Sequence, residues 1–138
     1  MYTERAFLKS SLIMDRTETG RRGEESVCRY LESKGYRIVM RNYRIRGGEI
    51  DIIAENGEFL AFVEVKSRKP DSLVNGFEAV NKRKQGLIIK TASDYCFKNP
   101  TELQPRFDIA QVIINRGVVL SIDYITNAFD TTGYNFIF

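Results

Sequence analysis

Two alternating segments, Glu49–Glu55 and Glu58–Ser67, joined by Asn56-Gly57, constrain this chain more than any other feature. Asn-Gly reaches positive φ at little cost, so the dipeptide predicts a tight turn between two antiparallel strands. A two-residue turn pairs Glu55 with Glu58 and sets Asp51 opposite Phe62 and Glu49 opposite Glu64. Side chains alternate along a strand, which puts Glu49, Asp51, Glu64 and Lys66 on one face. Ile50, Ile52, Ala61, Val63 and Val65 fill the other, while Ile53, Leu60 and Phe62 make the first face partly apolar too. Both faces are therefore expected to be buried. Three carboxylates and a lysine in so apolar a hairpin are costly to desolvate unless they meet one another or a cation. Glu64 lies diagonally across from Asp51, at about 7–8 Å between backbone positions, from where both acids reach one hard divalent ion.

The remaining elements follow from periodicity and breakers. Thr19 is the expected N-cap of a helix from Gly20 to Lys34, with Val27, Cys28 and Leu31 inward and Gly35 ending it. Tyr36–Ile45 reads as a strand that meets the breaker pair Gly47-Gly48. Lys69–Phe77 is loop-like, and a second helix is expected from Glu78 to Phe97, with Val80, Leu87, Ile88, Ala92 and Tyr95 along one face. Phe107–Asn115 and Val118–Ile125 make a strand pair around Arg116-Gly117, and Thr126–Phe129 closes the domain. The expected order is α-β-β-β-α-β-β, an α/β domain over residues 16–129. Residues 1–15 fit no element and read as an extension in which Met14 is an alternative start to Met1; residues 130–138 read as a tail.

Composition narrows the chemistry. The 138 residues suffice for one core without staples, and Cys28 and Cys96, both in helical stretches without a CxxC pairing, read as reduced core residues. With no histidine and two cysteines, a catalytic metal would be held by carboxylates, carbonyls and water, the ligands of magnesium, manganese or calcium. No apolar run approaches the roughly 20 residues of a membrane helix and no secretory signal is evident, so the expected compartment is the cytoplasm.

Net charge is only +3, but it is unevenly placed. Arg16–Arg46 holds nine basic residues against four acidic, and Lys66–Lys90 seven against two, flanking the acidic hairpin. Such arms suit a phosphate backbone, although the charge pattern standing alone favours the simpler reading of solvated faces. Glu24 lies three, four and seven residues before Val27, Cys28 and Leu31, so it either joins the acids of the hairpin or is a first-turn acid favoured by the helix dipole. Lys84 falls on the apolar face of the second helix with Gln85 beside it; solvation at the stripe's edge and a role at the site are both open.

Asp51, a turn and Glu64-Val65-Lys66 resemble the PD-(D/E)xK signature of restriction-endonuclease-like nucleases, archaeal Holliday-junction resolvases among them. Further strings are Gly20-Arg-Arg-Gly-Glu24, Tyr30-Leu31, Gly35-Tyr36, Arg41-Asn42-Tyr43, Gly47-Gly48-Glu49-Ile50-Asp51, Phe62-Val63-Glu64-Val65-Lys66, Lys84-Gln85, Arg106-Phe107-Asp108 and Asn127-Ala128-Phe129. With these, the chain from Gly20 to Phe129 resembles the bacterial UPF0102, or YraN-like, family. The resemblance implies a restriction-endonuclease-like core, with a mixed central sheet of about five strands flanked by helices. It also implies a magnesium- or manganese-dependent endonuclease, with Asp51 and Glu64 as metal-binding acids and Lys66 as the motif lysine. The resemblance does not identify the substrate, for which DNA, branched or structured DNA included, is the expectation and RNA stays open. Glu24 would be the acid of the first helix and Gln85 the polar residue of the second. Arg21, Arg22, Arg41, Arg44, Arg46, Lys82, Arg83 and Lys84 would then contact nucleic acid, with homodimerisation left open. The rival readings are a non-catalytic nucleic-acid adaptor, a scaffold in which the acids pair with Arg44 and Arg46, and a metal-dependent small-molecule phosphatase, disfavoured because no phosphate-cradling glycine loop precedes a helix.

Overall fold

The computed structural model describes residues 2–7, 16–71 and 80–134. Its elements are β1 (Tyr2–Phe7), α1 (Arg16–Ser33), β2 (Arg37–Ile45), β3 (Gly48–Glu55), β4 (Phe59–Arg68), α2 (Lys82–Lys98), β5 (Gln104–Asn115) and β6 (Val118–Phe129). They form one six-stranded sheet in the order β1-β6-β5-β4-β3-β2. The β4–β5 pair is parallel and the others antiparallel, so the sheet is mixed. The α/β class is as expected. The order gains one strand, because Tyr2–Phe7, which fits no element by sequence, pairs along β6. Polar Thr3, Glu4 and Arg5 hide its strand character, and its partner lies more than a hundred residues away.

One cluster packs Val27, Cys28, Tyr30 and Leu31 of α1 onto Ile52, Ala54, Ala61, Val63, Ala110 and Val112 of the sheet. The other packs Ile88, Ile89, Ala92 and Tyr95 of α2 onto Ile50, Ile53, Leu60, Phe62, Phe107 and Ile109. Alternation along β4 thus divides the core, with Ala61 and Val63 toward α1 and Leu60 and Phe62 toward α2. Burying both faces of a central strand in this way requires its continuously apolar sequence.

Several boundaries and contacts depart from expectation. Helix α1 starts at Arg16, leaving Thr19 inside it, and its early turns are supported by ion pairs from Arg21 to Glu18 and Glu25. Helix α2 starts at Lys82, where the Asn81 side chain accepts a hydrogen bond from Lys84 N at 3.0 Å. Leu87 is 36% exposed, and Ile89 takes its place in the core. Cys28 is buried, whereas Cys96 is only half-buried against the α2 cluster. Met1, Met14, residues 72–77 of the expected loop, Glu78 and the last four residues of the tail lie outside the described residues.

The hairpin register is also corrected. Glu55 pairs with Leu60 rather than Glu58, and Ile53 with Phe62. Asn56 is responsible: its side-chain oxygen accepts from Glu58 N and Phe59 N at 3.0 and 2.8 Å, spreading the turn over two more residues. A slip of two keeps every β4 side chain on its expected face.

A buried network ties the parallel strands to their neighbours. Asp108, fully buried, accepts from Arg106 Nε at 2.9 Å, Tyr124 Oη at 2.6 Å and Asn127 N at 2.8 Å. Arg106 also donates to Tyr36 Oη at 2.6 Å and lies 4.7 Å over the Phe59 ring. Removing one partner strands a buried charge, so Asp108→Ala should cost about 3–5 kcal/mol in denaturant unfolding. Arg37→Ala, which breaks the exposed pair with Glu55, should stay within about 1 kcal/mol.

Candidate active site

The site forms where β3 and β4 part. Their pairing runs from Glu55↔Leu60 to Ile52↔Val63 and ends there. At the next residue, Asp51 Oδ2 accepts a hydrogen bond from Val65 N at 2.8 Å. A side-chain carboxylate thus satisfies a main-chain donor on β4. Ile50 packs with the α2 cluster and Ile52 with the α1 cluster, so the expected shared face of these two is broken at Asp51.

Glu64 follows on β4, only 5% exposed. Its Oε1 lies 3.4 Å from Lys66 Nζ and 3.3 Å from Lys84 Nζ. Two elements therefore bring ammonium groups onto one carboxylate oxygen. Burial, followed by the charge of Glu64, pushes the Asp51 carboxyl up to about 8 against the opposing Val65 hydrogen bond; Glu24 and Glu49 add smaller pushes. Burial likewise raises Glu24, with Arg41 and Asn42 pulling it down and Glu49 and Glu64 adding to the rise. Lys84 ends above its ordinary value: burial pulls its ammonium down, and Glu64 and Lys66 more than offset that.

Two glycines let the helices come this close. A Cβ on Gly23 would stand 2.7 Å from Ser67 Oγ, so this glycine seats α1 against β4 and carries Glu24 to the acids. A Cβ on Gly48 would collide with the Thr91 hydroxyl of α2. Asn42, at φ 53°, completes the arrangement. With its amide nitrogen turned toward the acids it donates to Glu24 Oε1 at 3.1 Å and Glu49 Oε1 at 3.2 Å. Sequence analysis placed Asn42 in a strand and in the Arg41-Asn42-Tyr43 string without giving it a role; an Asn among β-branched and basic neighbours, tolerant of positive φ, was the available signal.

Asp51, Glu64, Lys66 and Glu24 are thus neighbours in charge and space, and Lys84 joins them. The Gln85 amide points elsewhere, donating to Val80 O at 3.0 Å and accepting from Tyr134 Oη at 3.4 Å. Arg44 pairs with Glu49 at 3.3 Å, as the scaffold reading expected, whereas Asp51 and Glu64 have no such arginine partner among the described contacts. Arg44, Gly47, Gly48, Glu49, Lys84 and Leu87 line a cleft of about 300 Å³ beside the acids. Arg41, Arg46, Lys82 and Arg83 are exposed, while Arg21 is engaged by acids of its own helix and Arg22 is half-buried.

These residues fit a hard divalent ion. Burial, and after it the neighbouring acids, pushes Asp51 toward protonation, and a cation would relieve the part that is repulsion. Asp51 and Glu64 would hold it. No cluster of three or more metal-ligating side chains converges among the described residues. Magnesium, however, commonly takes one or two carboxylates and keeps water and substrate oxygens in its other positions.

Residues 23–112 match the family model described as Uncharacterised protein family UPF0102. The chain belongs to the UPF0102 family. A UPF0102 protein of Alkaliphilus metalliredigens (strain QYMF) is 48% identical over 111 residues, covering 80% of this chain and 96% of the relative. One from Carboxydothermus hydrogenoformans is 47% identical over 96 residues, 69% of this chain and 81% of the relative. Another, from Sulfurihydrogenibium sp. (strain YO3AOP1), is 39% identical over 117 residues, 84% and 97% of the two chains. The UPF0102 match contains Glu24, Asn42, Asp51, Glu64, Lys66 and Lys84, while β1 and β6 lie outside it.

The raised Asp51 carboxyl has a measurable consequence. Between the unfolded value near 4 and the folded value of about 8, the native state holds a proton that the unfolded chain has released. Its contribution is full below about pH 4 and is lost as pH rises toward 8. Urea unfolding in chelator should therefore show stability falling across this window, and Asp51→Asn should flatten the fall and be the more stable protein at pH 8. An unchanged slope in Asp51→Asn would contradict this electrostatic picture.

Proposed function

We propose that this UPF0102 chain is a magnesium- or manganese-dependent nuclease that hydrolyses phosphodiester bonds of DNA, branched or structured DNA included. The observation that carries the proposal is the hydrogen bond from Val65 N to Asp51 at the parting of β3 and β4, which sets Asp51 beside Glu64 and Lys66. Three residue types needed for phosphodiester hydrolysis then meet at one point of the sheet. Asp51 and Glu64 would hold the ion. Bound there, a divalent ion would supply charge neutralisation at the phosphate and a more acidic water.

The chain's own groups do the rest. Val65 N–H fixes the orientation of the Asp51 carboxylate, so little reorganisation is needed. The Lys66 ammonium, 27% exposed and fixed on β4, orients the attacking water and offsets charge developing at phosphorus. Asn42 fixes Glu24 and Glu49 around the acids. Exposed Arg41, Arg46, Lys82 and Arg83 follow the phosphate backbone on either side, through contacts indifferent to base sequence and sensitive to salt.

One observation favours the rival adaptor without catalysis: Glu64 is already neutralised by two ammonium groups, and among the described residues no three metal-ligating side chains converge. Labelled single-stranded, duplex, flap and four-way-junction DNA, incubated with magnesium and with manganese, distinguishes the two. The nuclease reading predicts cleavage of at least one substrate, reduced at least about 100-fold in Glu64→Gln and in Lys66→Ala. Glu64→Gln should bind DNA as well as wild type or better, because it removes a negative charge beside the phosphate. Salt-sensitive binding without cleavage of any substrate in either metal would establish the adaptor.

A further inference from the structure

Helix α2 opens with Lys82-Arg83-Lys84 and has no acid in its first turn. Cations there face the positive end of the helix dipole, an arrangement that opposes helix stability and needs a compensating anion. Glu64 on β4 supplies it. Lys84 Nζ stands 3.3 Å from Glu64 Oε1, the same oxygen that Lys66 Nζ approaches at 3.4 Å. A single buried carboxylate thus faces two cations, more than it can neutralise. The two lysines differ in tether and exposure: Lys66 lies on the same strand as Glu64 and is 27% exposed, whereas Lys84 belongs to a separate element and is 42% exposed. Lys84 also borders the cleft of about 300 Å³ with Arg44 and Glu49, so its ammonium has open room beside its present position.

From this arrangement, and resting on the nuclease reading, we infer that Lys84 is an exchangeable internal counter-ion of Glu64. A divalent cation taken up by Asp51 and Glu64 displaces it, and the released ammonium turns to a substrate phosphate. Crowding selects which lysine leaves, since a third cation at Glu64 expels the one held by the longer route. Of the carboxylates around Lys84, Asp51 would be taken by the same cation and Glu49, which lines the cleft, is already paired with Arg44 at 3.3 Å, which leaves the nucleic-acid phosphate as the anion for Lys84. Metal uptake and nucleic-acid binding are then coupled, each strengthening the other by the same factor. The device holds an acidic pair compatible with its surroundings before metal arrives and adds a phosphate contact afterwards.

Calorimetric titration of the full chain with calcium alone and with manganese alone tests the displacement without any turnover. Lys84→Met should tighten metal binding by about five- to tenfold, toward the lower end of ordinary site-to-site couplings. Lys84→Arg should keep the weaker wild-type affinity, and Lys90→Met, which removes a charge from an exposed position six residues further along α2, should leave it within about twofold. Fluorescence anisotropy with duplex DNA supplies the second reading: calcium should raise wild-type affinity about five- to tenfold and that of Lys84→Met by less than about twofold. Metal binding equal in wild type and Lys84→Met, or weaker in the variant, would overturn the coupling while leaving the nuclease reading intact. A wild-type protein that takes up neither ion would contradict both.

Discussion

A main-chain amide on a central strand needs an acceptor, and at Val65 that acceptor is the Asp51 carboxylate in place of a carbonyl of β3. Much of the site follows from this substitution. Because the side chain takes the bond, β3 is free to leave β4 after Ile52↔Val63, and Ile50 can turn to the α2 cluster while Ile52 stays with α1. The parting strands open a place between two apolar layers for charged groups that neither layer would accept. Burial keeps the acids close enough to disturb one another, and in the proposed nuclease a bound cation would relieve that repulsion.

The rest of the molecule holds that opening in place. Gly23 brings α1 against Ser67, Gly48 brings the β2–β3 turn against α2, and the Arg106–Asp108 network braces the parallel β4–β5 pair from the far side. These parts answer to packing and to hydrogen-bond satisfaction, whereas the charges of Lys82-Arg83-Lys84 oppose the dipole of the helix they open. Local conflict of that kind, set against a well-satisfied scaffold, is where function is most readily sought.

Legibility in the sequence followed the range of the forces involved. Strand alternation is local, so the grouping of Glu64 and Lys66 on β4, and their nearness to Asp51, survived a register that was wrong by two residues. The error itself came from the Asn56 side chain, whose acceptance of two amides lengthened a turn that the dipeptide alone predicts to be tighter. The inward face of α1 was also local, and Glu24 duly reached the acids once Gly23 closed the approach. Long-range partners were not legible. Nothing near Tyr2–Phe7 reports that β6 will pair with it, and nothing near Lys84 reports that Glu64 awaits it on another element. The Ile50 reversal depends on the strands having parted, which alternation does not encode.

In the proposed nuclease, Asp51 and Glu64 form one cation site, created by the parting of β3 and β4. Anomalous diffraction from crystals grown with manganese tests it directly. The account predicts a single strong manganese peak between the two carboxylates, with Lys84 drawn away from Glu64. Crystals at saturating manganese with no peak at this position, and with both lysines still on Glu64, would contradict it.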